Sequence, residues 1–294
     1  MNQESTRTIA VIGATGAQGG GVVRALQDRG TFKVRALSRS PEAYDGLADE
    51  VVYADLTKPE TLEPALSGAY GVFTNTNSFA SSDTDEVAQG TSAVLAAKAA
   101  GVQHYVWSTL PNVEKISSGQ FVVPHFTNKA RVNQVVSEAG FPYYTFVEPP
   151  FYFQNLISPM YQKIPGPDGT PSWTMPASPS AGGMHMGDID EFGNLVAGAF
   201  EQPEQVGNGQ YLSMAGDLLS WDEIITTLQS QGHNIGYVEA TEDPYFVRDM
   251  FSYMAKHTYF GPDSATKIAD AIAVTTKPFT NFETWASTNM ATTR

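Results

Sequence analysis

Short apolar runs alternate with stretches of helical spacing through the first half of the chain. Residues 9–12 form a run rich in β-branched side chains, which predicts a buried strand, and residues 21–26 carry apolar side chains at helical spacing. The same alternation predicts further strands at 32–37, 51–54, 71–75, 105–109 and 143–147, and helices at 58–66, 85–100 and from 125 onwards. Regular alternation of this kind predicts an α/β fold with a parallel sheet and helices on both faces.

The pattern changes after Pro149 and Pro150. Residues 164–183 are rich in proline, glycine and serine, so we expect the chain to leave the sheet there and form a less regular lobe. Beyond this segment the sequence predicts helices at about 190–202, 223–231 and 244–257, and strands at 210–214 and 237–240. Ser220 and Glu223 have the spacing of a capping box, which marks the start of the second of these helices.

Charge and composition narrow the classes of partner. The 294 residues carry a net charge of −14 and the pI is near 4.7. This argues against a general nucleic-acid or anionic-membrane surface, because phosphates attract basic faces, and leaves a local basic groove as the alternative. The sequence contains no cysteine and therefore no disulfide, thiolate metal site or cysteine nucleophile. We expect no signal peptide and no membrane span. We expect the protein to be cytoplasmic.

A glycine-rich turn follows the first strand with the spacing Gly13-x-x-Gly16-x-x-Gly19. Strand, glycine turn and helix in this order place helix N–H groups and the positive end of the helix dipole where they can bind an anion. In folds of this kind that anion is the pyrophosphate of a dinucleotide. The alternative is a glycine turn required only for steric reasons.

The end of the second strand indicates which dinucleotide. An Asp or Glu at this place pairs with the ribose 2′-hydroxyl of NAD, whereas an arginine accommodates the 2′-phosphate of NADP. This strand ends in Ser38 and Arg39, and the first carboxylate after it is Glu42. The sequence therefore favours NADP(H), with a solvated surface arginine as the alternative. Residues after the fourth strand lie at the same sheet edge and are expected to border the cofactor: Asn75, Thr76, Asn77 and Phe79.

These motifs, together with later ones, resemble the NmrA-like family, a branch of the atypical short-chain dehydrogenase/reductase proteins. The similar segments lie at 13–19, 34–39, 54–56, 99–108, 125–129 (His-Phe-x-x-Lys), 148–155, 188–193 and 209–211. The resemblance implies a Rossmann-type doubly wound parallel sheet and a smaller C-terminal α/β substrate lobe. It places the NADP-binding domain at 1–150, with about 184–204 and 243–262 packing back on it. The lobe would comprise about 151–183, 205–242 and 263–294.

The resemblance also implies cofactor contacts by position. The glycines of the turn would hold the phosphates together with Thr15, Ala17 and Gln18. Arg39 would hold the 2′-phosphate, with Ser38 as a neutral neighbour. The remaining contacts would be made by Asp55 and Leu56 beside the adenine, and by the Asn75 region and Lys129 near the nicotinamide ribose.

One departure from catalytic short-chain reductases bears directly on activity. Those enzymes carry Tyr-x-x-x-Lys, in which the phenol exchanges a proton with the substrate oxygen. This chain has His125-x-x-x-Lys129 in the corresponding place. One interpretation is that the imidazole of His125, which titrates near neutrality, replaces the phenol as the proton donor. The alternative is that His125 only caps a helix and Lys129 only binds the ribose. Ser108 lies where those reductases orient the substrate carbonyl, and a satisfied hydroxyl at a strand end is the alternative.

Two function classes remain at this stage. The first is an NADP(H)-dependent oxidoreductase for a small carbonyl, enone, imine or quinone, with an apolar or aromatic pocket formed by Phe79, Phe151, Tyr152, Phe153 and Trp173. An ordinary interdomain core is the alternative for these aromatic residues. The second class is a non-catalytic NADP(H) sensor that binds a protein such as a transcription factor, in which case a nuclear location is added.

A loose metal-like spacing is assigned to structure instead. His185-x-x-Asp188-x-Asp190 carries nitrogen and oxygen ligands, but a helix begins there, and carboxylates stabilise a helix start. We therefore predict no metal. A monomer or a homodimer is expected.

Overall fold

Parallel strands build the main layer of this computed structural model, which describes residues 6–81, 84–241 and 245–290. In chain order the strands of the described chain are β1 (Thr8–Ile12), β2 (Lys33–Ser38), β3 (Glu50–Tyr53), β4 (Gly71–Thr74), β5 (His104–Ser108), β6 (Tyr143–Glu148), β7 (Phe151–Tyr152), β8 (Ile164–Pro165), β9 (Pro171–Met175), β10 (Met184–Gly187), β11 (Asn208–Ser213), β12 (Asp217–Leu219) and β13 (Gly236–Glu239). Seven of them form one sheet in the order β11-β6-β5-β4-β1-β2-β3, with every neighbouring pair parallel.

The helices of the described chain, again in order, are α1 (Ala17–Arg29), α2 (Leu62–Leu66), α3 (Glu86–Ala99), α4 (Val113–Ile116), α5 (Pro124–Glu138), α6 (Ile189–Glu201), α7 (Pro203–Val206), α8 (Trp221–Ser230), α9 (Tyr245–His257), α10 (Ser264–Thr275) and α11 (Phe282–Asn289). α1 and α6 cover one face of the main sheet, and α2, α3 and α5 cover the other. This is the predicted doubly wound Rossmann-type fold. The strand order reverses between β1 and β4, where such sheets bind ligands.

Alternating side chains of the strands fill the two core layers. Along β1, Ile9 and Val11 pack with α1 and α6, whereas Ala10 and Ile12 pack with the helices of the opposite face. This is the two-residue period of a strand buried on both sides, and it explains why the run is apolar throughout. A Cβ on Gly193 of α6 would lie 2.2 Å from the Gly21 carbonyl oxygen, so α1 and α6 approach at backbone distance.

The smaller lobe holds two short sheets and its own aromatic core. The sheets run β12-β10-β7 and β13-β9-β8. Its core is rich in large aromatic side chains, and Trp173 lies 5.7 Å from Trp221 between ring centroids. α8 starts with the predicted capping box, in which the Ser220 hydroxyl receives the Glu223 N–H and the Glu223 carboxylate receives the Ser220 N–H.

The predicted division of the second half between domain and lobe needs correction. β11 lies within 205–242, which was expected in the lobe, but it is the edge strand of the main sheet and pairs with β6. α10 was also expected in the lobe, and its Ala271 and Val274 pack with the α6 face of that sheet. α9 was expected on the sheet domain, yet its Phe251 and Met254 are buried in the lobe core. Pro244, the predicted first residue of this helix, lies outside the described residues.

Candidate active site

The turn between β1 and α1 has the geometry of an anion-binding helix start. Gly13 has a left-handed φ of +80°, and its carbonyl accepts the Gly16 N–H at 2.9 Å. A Cβ on Gly19 would lie 2.1 Å from the Gly13 carbonyl oxygen, so only glycine fits at that position. α1 has no capping side chain and no acidic residue in its first turn, and Thr15 and Ala17 are exposed beside it. The helix start is therefore left for an anion.

The end of β2 presents an exposed cation next to this turn. Ser38 is buried, and its Oγ accepts the backbone N–H two residues further on at 3.0 Å. Arg39 is exposed and forms no salt bridge among the described residues. Asp55 and Leu56 are half-buried after β3. Burial raises the pKa of Asp55, but hydrogen bonds from Thr57 and nearby cations, Arg39 among them, outweigh it and leave the pKa below its usual value.

Lys129 is the centre of a buried polar network beyond β4. Its Nζ donates to Asn75 Oδ1 at 3.0 Å and to the Thr76 carbonyl and hydroxyl at 2.8 and 3.1 Å. The same ammonium lies 3.1 Å from a carboxylate oxygen of Glu86 and 5.3 Å from the centroid of the Trp107 ring. Burial lowers the pKa of Lys129, and Glu86 opposes that shift. The network ties α5 to α3 and to the loop after β4.

The residues after β4 that were predicted to border the cofactor form hydrogen bonds within the protein. Lys129 holds Asn75 and Thr76, the two residues that were expected beside the nicotinamide ribose. Asn77 is exposed, and its Oδ1 accepts the Phe79 N–H at 2.9 Å. With its protons directed at these oxygens, Lys129 acts here as a positioning residue for the loop.

His125 is a neutral imidazole in an aromatic setting. It is the second residue of α5, and its ring centroid lies 5.2 Å from Phe79 and 4.9 Å from Phe126. Burial lowers its pKa to about 4, with Glu86 raising it and Lys129 lowering it further. The expectation of a group that titrates near neutrality is therefore corrected. At neutral pH this ring is a hydrogen-bonding group and not an imidazolium acid.

Ser108 connects the strand end to the glycine turn. Its side chain is fully buried, and its Oγ donates to Gln18 Oε1 at 2.8 Å. Tyr152 lies beside Gln18 as well, and burial raises the pKa of its phenol well above the usual value. Gln18 therefore contacts both a residue predicted to orient the substrate and one predicted to line its pocket.

Comparison with known proteins identifies the group to which the chain is related. The model of the NmrA-like family matches residues 5–286. The NmrA-like family domain-containing oxidoreductase hkm9 of Aspergillus hancockii is 30% identical over 244 residues, which cover 77% of this chain and 72% of that protein. The chain belongs to the NmrA-like family. The sequence-based resemblance is thereby confirmed.

Solved structures agree with this fold assignment. The negative transcriptional regulator NmrA in complex with NADP is 24% identical and has a TM-score of 0.77, with coverage of 97% of this chain and 95% of that one. An NADPH-dependent quinone oxidoreductase from Escherichia coli is 19% identical and has a TM-score of 0.74, with coverage of 96% and 100%. At these identities the likeness shows that this NmrA-like chain shares their fold.

The aromatic residues predicted as a pocket wall separate in the NmrA-like structure. Phe153 and Trp173 have no exposed surface and lie in the lobe core, where Phe153 packs 5.3 Å from Trp285. Phe151 is buried against Tyr161 at 5.3 Å. These three placements follow the alternative of an ordinary core, because the lobe is built from short strands that bury bulky side chains. Tyr152 remains beside the candidate site, and Phe79 is 62% exposed next to His125.

Sequence reasoning missed a buried ion pair at the sheet edge. Glu148, the last residue of β6, is 1% exposed, and Lys267 of α10 donates to its carboxylate at 3.1 Å. The Ser213 hydroxyl of β11 donates to the same oxygen at 2.5 Å. Burial raises the pKa of Glu148, and Lys267 and Ser213 oppose it. The available signal was an acidic residue at the end of an otherwise apolar strand.

The metal-like spacing has a structural role at one of its positions. Asp188 caps α6, and its Oδ1 accepts the Asp190 N–H at 3.0 Å. Asp190 lies 3.6 Å from Arg24 of α1. Across the described ranges, no cluster of three or more metal-ligating side chains occurs, and no helix has the length and apolar content needed to cross a bilayer.

Proposed function

We propose that this NmrA-like chain is an NADP(H)-dependent oxidoreductase. Its reaction would be hydride transfer to or from a small, apolar or aromatic carbonyl, enone, imine or quinone. The observation that carries the cofactor assignment is the uncapped start of α1 beside Arg39. A helix start without acidic residues favours a pyrophosphate, and a free guanidinium near it favours a second, terminal phosphate.

The residues present fit this cofactor. The Gly13–Gly19 turn would hold the pyrophosphate. A Cβ at Gly19 would collide with the turn, so the absence of a side chain there lets the turn lie close to the start of α1. Arg39, with Ser38, would bind the 2′-phosphate, while Asp55 and Leu56 border the adenine. The loop held by Lys129 would border the nicotinamide ribose through three residues: Asn75, Thr76 and Asn77. When bound, the nicotinamide supplies or accepts the hydride.

The substrate end of the site would be formed by residues of both layers. Ser108 and Gln18 form a hydrogen-bonded pair at the end of β5, and the neutral His125 packs against Phe79 at the start of α5. A neutral imidazole can donate or accept one hydrogen bond from a substrate oxygen or nitrogen. Tyr152 and Phe79 supply aromatic surface, which suits a planar apolar substrate. Relatives such as the A. hancockii protein, described as an oxidoreductase, support this reaction class.

A second candidate is an NADP(H)-sensing regulator without turnover. The specific observation in its favour is the chemistry of the two residues in place of Tyr-x-x-x-Lys. Lys129 directs its ammonium at Glu86 and the loop after β4, and burial lowers the pKa of His125 to about 4, so His125 is not an imidazolium acid at neutral pH. NmrA, described as a negative transcriptional regulator, shares the fold. A protein partner such as a transcription factor belongs to this candidate.

A turnover screen distinguishes the two functions. Oxidation of NADPH is followed at its absorbance band with quinones, enones, aromatic ketones and cyclic imines, for the wild-type chain and for His125→Ala and Lys129→Met. We expect turnover with at least one class, a higher KM for His125→Ala, and a loss of cofactor affinity for Lys129→Met because its loop is released. Tight NADP⁺ binding without turnover on any class would favour the regulator.

A further inference from the structure

Two neighbouring side chains of α9 carry buried polar atoms without a hydrogen-bond partner. Among the described residues, the Tyr253 hydroxyl and His257 Nε2 have none, and their rings stack with centroids 5.5 Å apart. His185 Nδ1 is also without a partner, and its ring stacks on Phe260, just after the helix, at 4.9 Å. Tyr253 has no exposed surface at all. Buried polar atoms are nearly always paired in native proteins, so a concentration of unpaired ones requires an explanation.

Tyr259 and Glu148 connect Tyr253 to the candidate substrate site. Tyr259, in the turn that follows α9, packs 5.0 Å from Phe126, the neighbour of His125. A Cβ on Gly261 would lie 3.6 Å from the Tyr253 hydroxyl. The Glu148 carboxylate, at the carboxyl end of β6, is close enough to add to the rise in the Tyr253 pKa that burial causes. The hydroxyl of Tyr253 is therefore a neutral donor near the edge of the sheet where the substrate would bind.

Exposed polar contacts attach α9 to residues 120–122, the segment that precedes α5. Asp249 Oδ2 accepts the Val122 N–H at 2.8 Å, and Lys256 Nζ donates to Gln120 Oε1 at 2.6 Å. Directly after the helix, Thr258 has a left-handed φ of +62°, which is unfavourable for a β-branched residue. Phe251 and Met254 keep α9 in the lobe core, whereas its polar contacts with residues 120–122 are exposed. Exposed polar contacts separate at low cost, so α9 can part from this segment while it stays attached to the lobe.

We propose that α9 is a movable wall of the substrate site and that Tyr253, with His257 beside it, binds the substrate's oxygen or nitrogen once α9 shifts away from residues 117–123. The proposal rests on the oxidoreductase function proposed above. In the closed arrangement these polar groups are unpaired, and a carbonyl, quinone or imine would accept the phenol proton of Tyr253 as a hydrogen bond. The ligand class is thus a neutral acceptor on a planar ring.

A reversible cross-link tests the movement. The chain has no cysteine, so the double variant Gln120→Cys/Lys256→Cys offers two unique thiols for a short bis-methanethiosulfonate reagent that dithiothreitol removes. We expect the cross-link to lower turnover by about tenfold or more, to leave the NADPH dissociation constant unchanged, and to be reversed by reduction. The single-cysteine variants, treated in the same way, are the controls. Full turnover in the cross-linked protein would overturn the proposal.

Hydrogen exchange separates failure of this proposal from failure of the proposed function. Without turnover in the untreated wild-type chain, the oxidoreductase function fails, and the movement is then decided by backbone amide exchange. The Val122 amide donates to Asp249 of α9, so it should exchange in the untreated chain and the cross-link should slow it. A Val122 exchange rate that the cross-link leaves unchanged would refute a movable α9.

A hydroxyl deletion tests the recognition step. Tyr253→Phe removes only the oxygen, so we expect the KM for a quinone or ketone to rise about tenfold with kcat and NADPH affinity little changed. Tyr237→Phe is the matched control, because the Tyr237 hydroxyl donates to the Ala177 carbonyl at 2.6 Å within the lobe. An unchanged KM for Tyr253→Phe, or an equal rise for both variants, would contradict the role of Tyr253.

Discussion

Two cations with opposite surroundings define the ends of the candidate site. Arg39 is exposed and forms no salt bridge among the described residues, whereas Lys129 is buried against Glu86 and the loop after β4. An exposed guanidinium such as that of Arg39 can bind an incoming phosphate. A buried ammonium such as that of Lys129, whose protons already have acceptors, holds its neighbours in place. We therefore propose that Arg39 selects the cofactor and that Lys129 fixes the loop after β4.

Replacing Arg39 tests the choice between the two dinucleotides. Arg39→Ala should weaken NADPH binding by about 10- to 100-fold, because a charge-assisted phosphate contact is lost, and should leave NADH binding nearly unchanged. Fluorescence titration with both cofactors measures this directly. Arg24→Ala is the control, since Arg24 is exposed on α1 and pairs with Asp190. Equal losses for both cofactors would show that Arg39 does not read the 2′-phosphate.

A buried histidine on β5 predicts a specific acid sensitivity. Burial lowers the pKa of His104 to about 3, while its Nε2 lies 3.0 Å from the Thr145 hydroxyl. The unfolded chain protonates the His104 imidazole below about pH 6.5 and the folded chain does not. His104 should therefore lower the free energy of unfolding by about 2 kcal/mol between pH 7 and pH 5. Urea unfolding of His104→Gln should show a smaller decrease in the free energy of unfolding over that range.

The comparison at higher pH completes the histidine test. Near pH 8 the imidazole is neutral in both states, so the difference between wild-type and His104→Gln there reports packing alone. Subtracting it isolates the proton linkage from the opposing effect of buried carboxyls such as Glu148, whose pKa is raised. An unchanged difference between the two chains from pH 8 to pH 5 would contradict a neutral buried His104.

Residue-scale prediction from sequence succeeded where the backbone dictates the residue. Gly13 and Gly19 are required by a positive φ and by a close approach, and both requirements are visible in the spacing. Aromatic side chains were harder, because Phe153 and Trp173 satisfy a pocket wall and a lobe core equally well in one dimension. The pKa of His125 could not be predicted, since it depends on burial by residues distant in sequence.

The two ends of α1 differ in geometry. Gly16 precedes the helix without a side-chain cap, and Gly30 ends it in a left-handed conformation at φ +63° with open space around it. On the function proposed above, the first end would bind the cofactor and the second would affect stability alone. Glycine substitutions at the two ends can be compared within one helix.

Alanine at Gly19 should abolish cofactor binding while the fold persists. Its Cβ would lie 2.1 Å from the Gly13 carbonyl oxygen, so the turn must move away from the position that holds the pyrophosphate. Gly30→Ala is the control: it should cost about 1 kcal/mol of stability through the positive φ but leave NADPH binding intact. Calorimetric titration and urea unfolding measure both. Normal NADPH affinity in Gly19→Ala would refute the turn as the phosphate site.

The Glu148–Lys267 pair joins α10 to the edge of the sheet. Lys267→Met should destabilise the chain by about 3–5 kcal/mol, because it leaves a buried carboxylate without a cation. The double variant Glu148→Gln/Lys267→Met should recover part of that loss, since neither charge remains. Urea unfolding at neutral pH is the measurement. A loss below about 1 kcal/mol for Lys267→Met would mean that the pair is not a buried one.

Element-scale prediction worked for strands and helices with strong periodicity and failed for their assignment to layers. Every strand predicted before residue 150 lies in the main sheet, because apolar β-branched runs between helices have few other solutions. β11 was expected in the lobe, since nothing local in it specifies β6 as its neighbour. α10 and α11 were not predicted, although Asn281 has the side chain of a capping residue and accepts the Thr284 N–H at the start of α11.

For the whole molecule, the central claim is that a Rossmann-type sheet and a smaller lobe enclose an NADP(H) site at which hydride is transferred. Fold and family follow from the sequence, because turn, strand order and motifs agree with one another. Catalysis does not follow from them, since the same fold is shared by a regulator and by a reductase. The substrate and the oligomeric state stay predictions for the same reason.

Isotope transfer tests this claim most directly. Two forms of NADPH, each with deuterium at one of the two stereochemical positions of nicotinamide C4, are incubated separately with the chain and the best acceptor from the turnover screen. Mass spectrometry measures the deuterium content of the product. We expect one of the two forms to deliver a single deuterium to the product, and Arg39→Ala to slow this transfer at low NADPH concentration. Tight binding of NADPH with no deuterium in any product would contradict it.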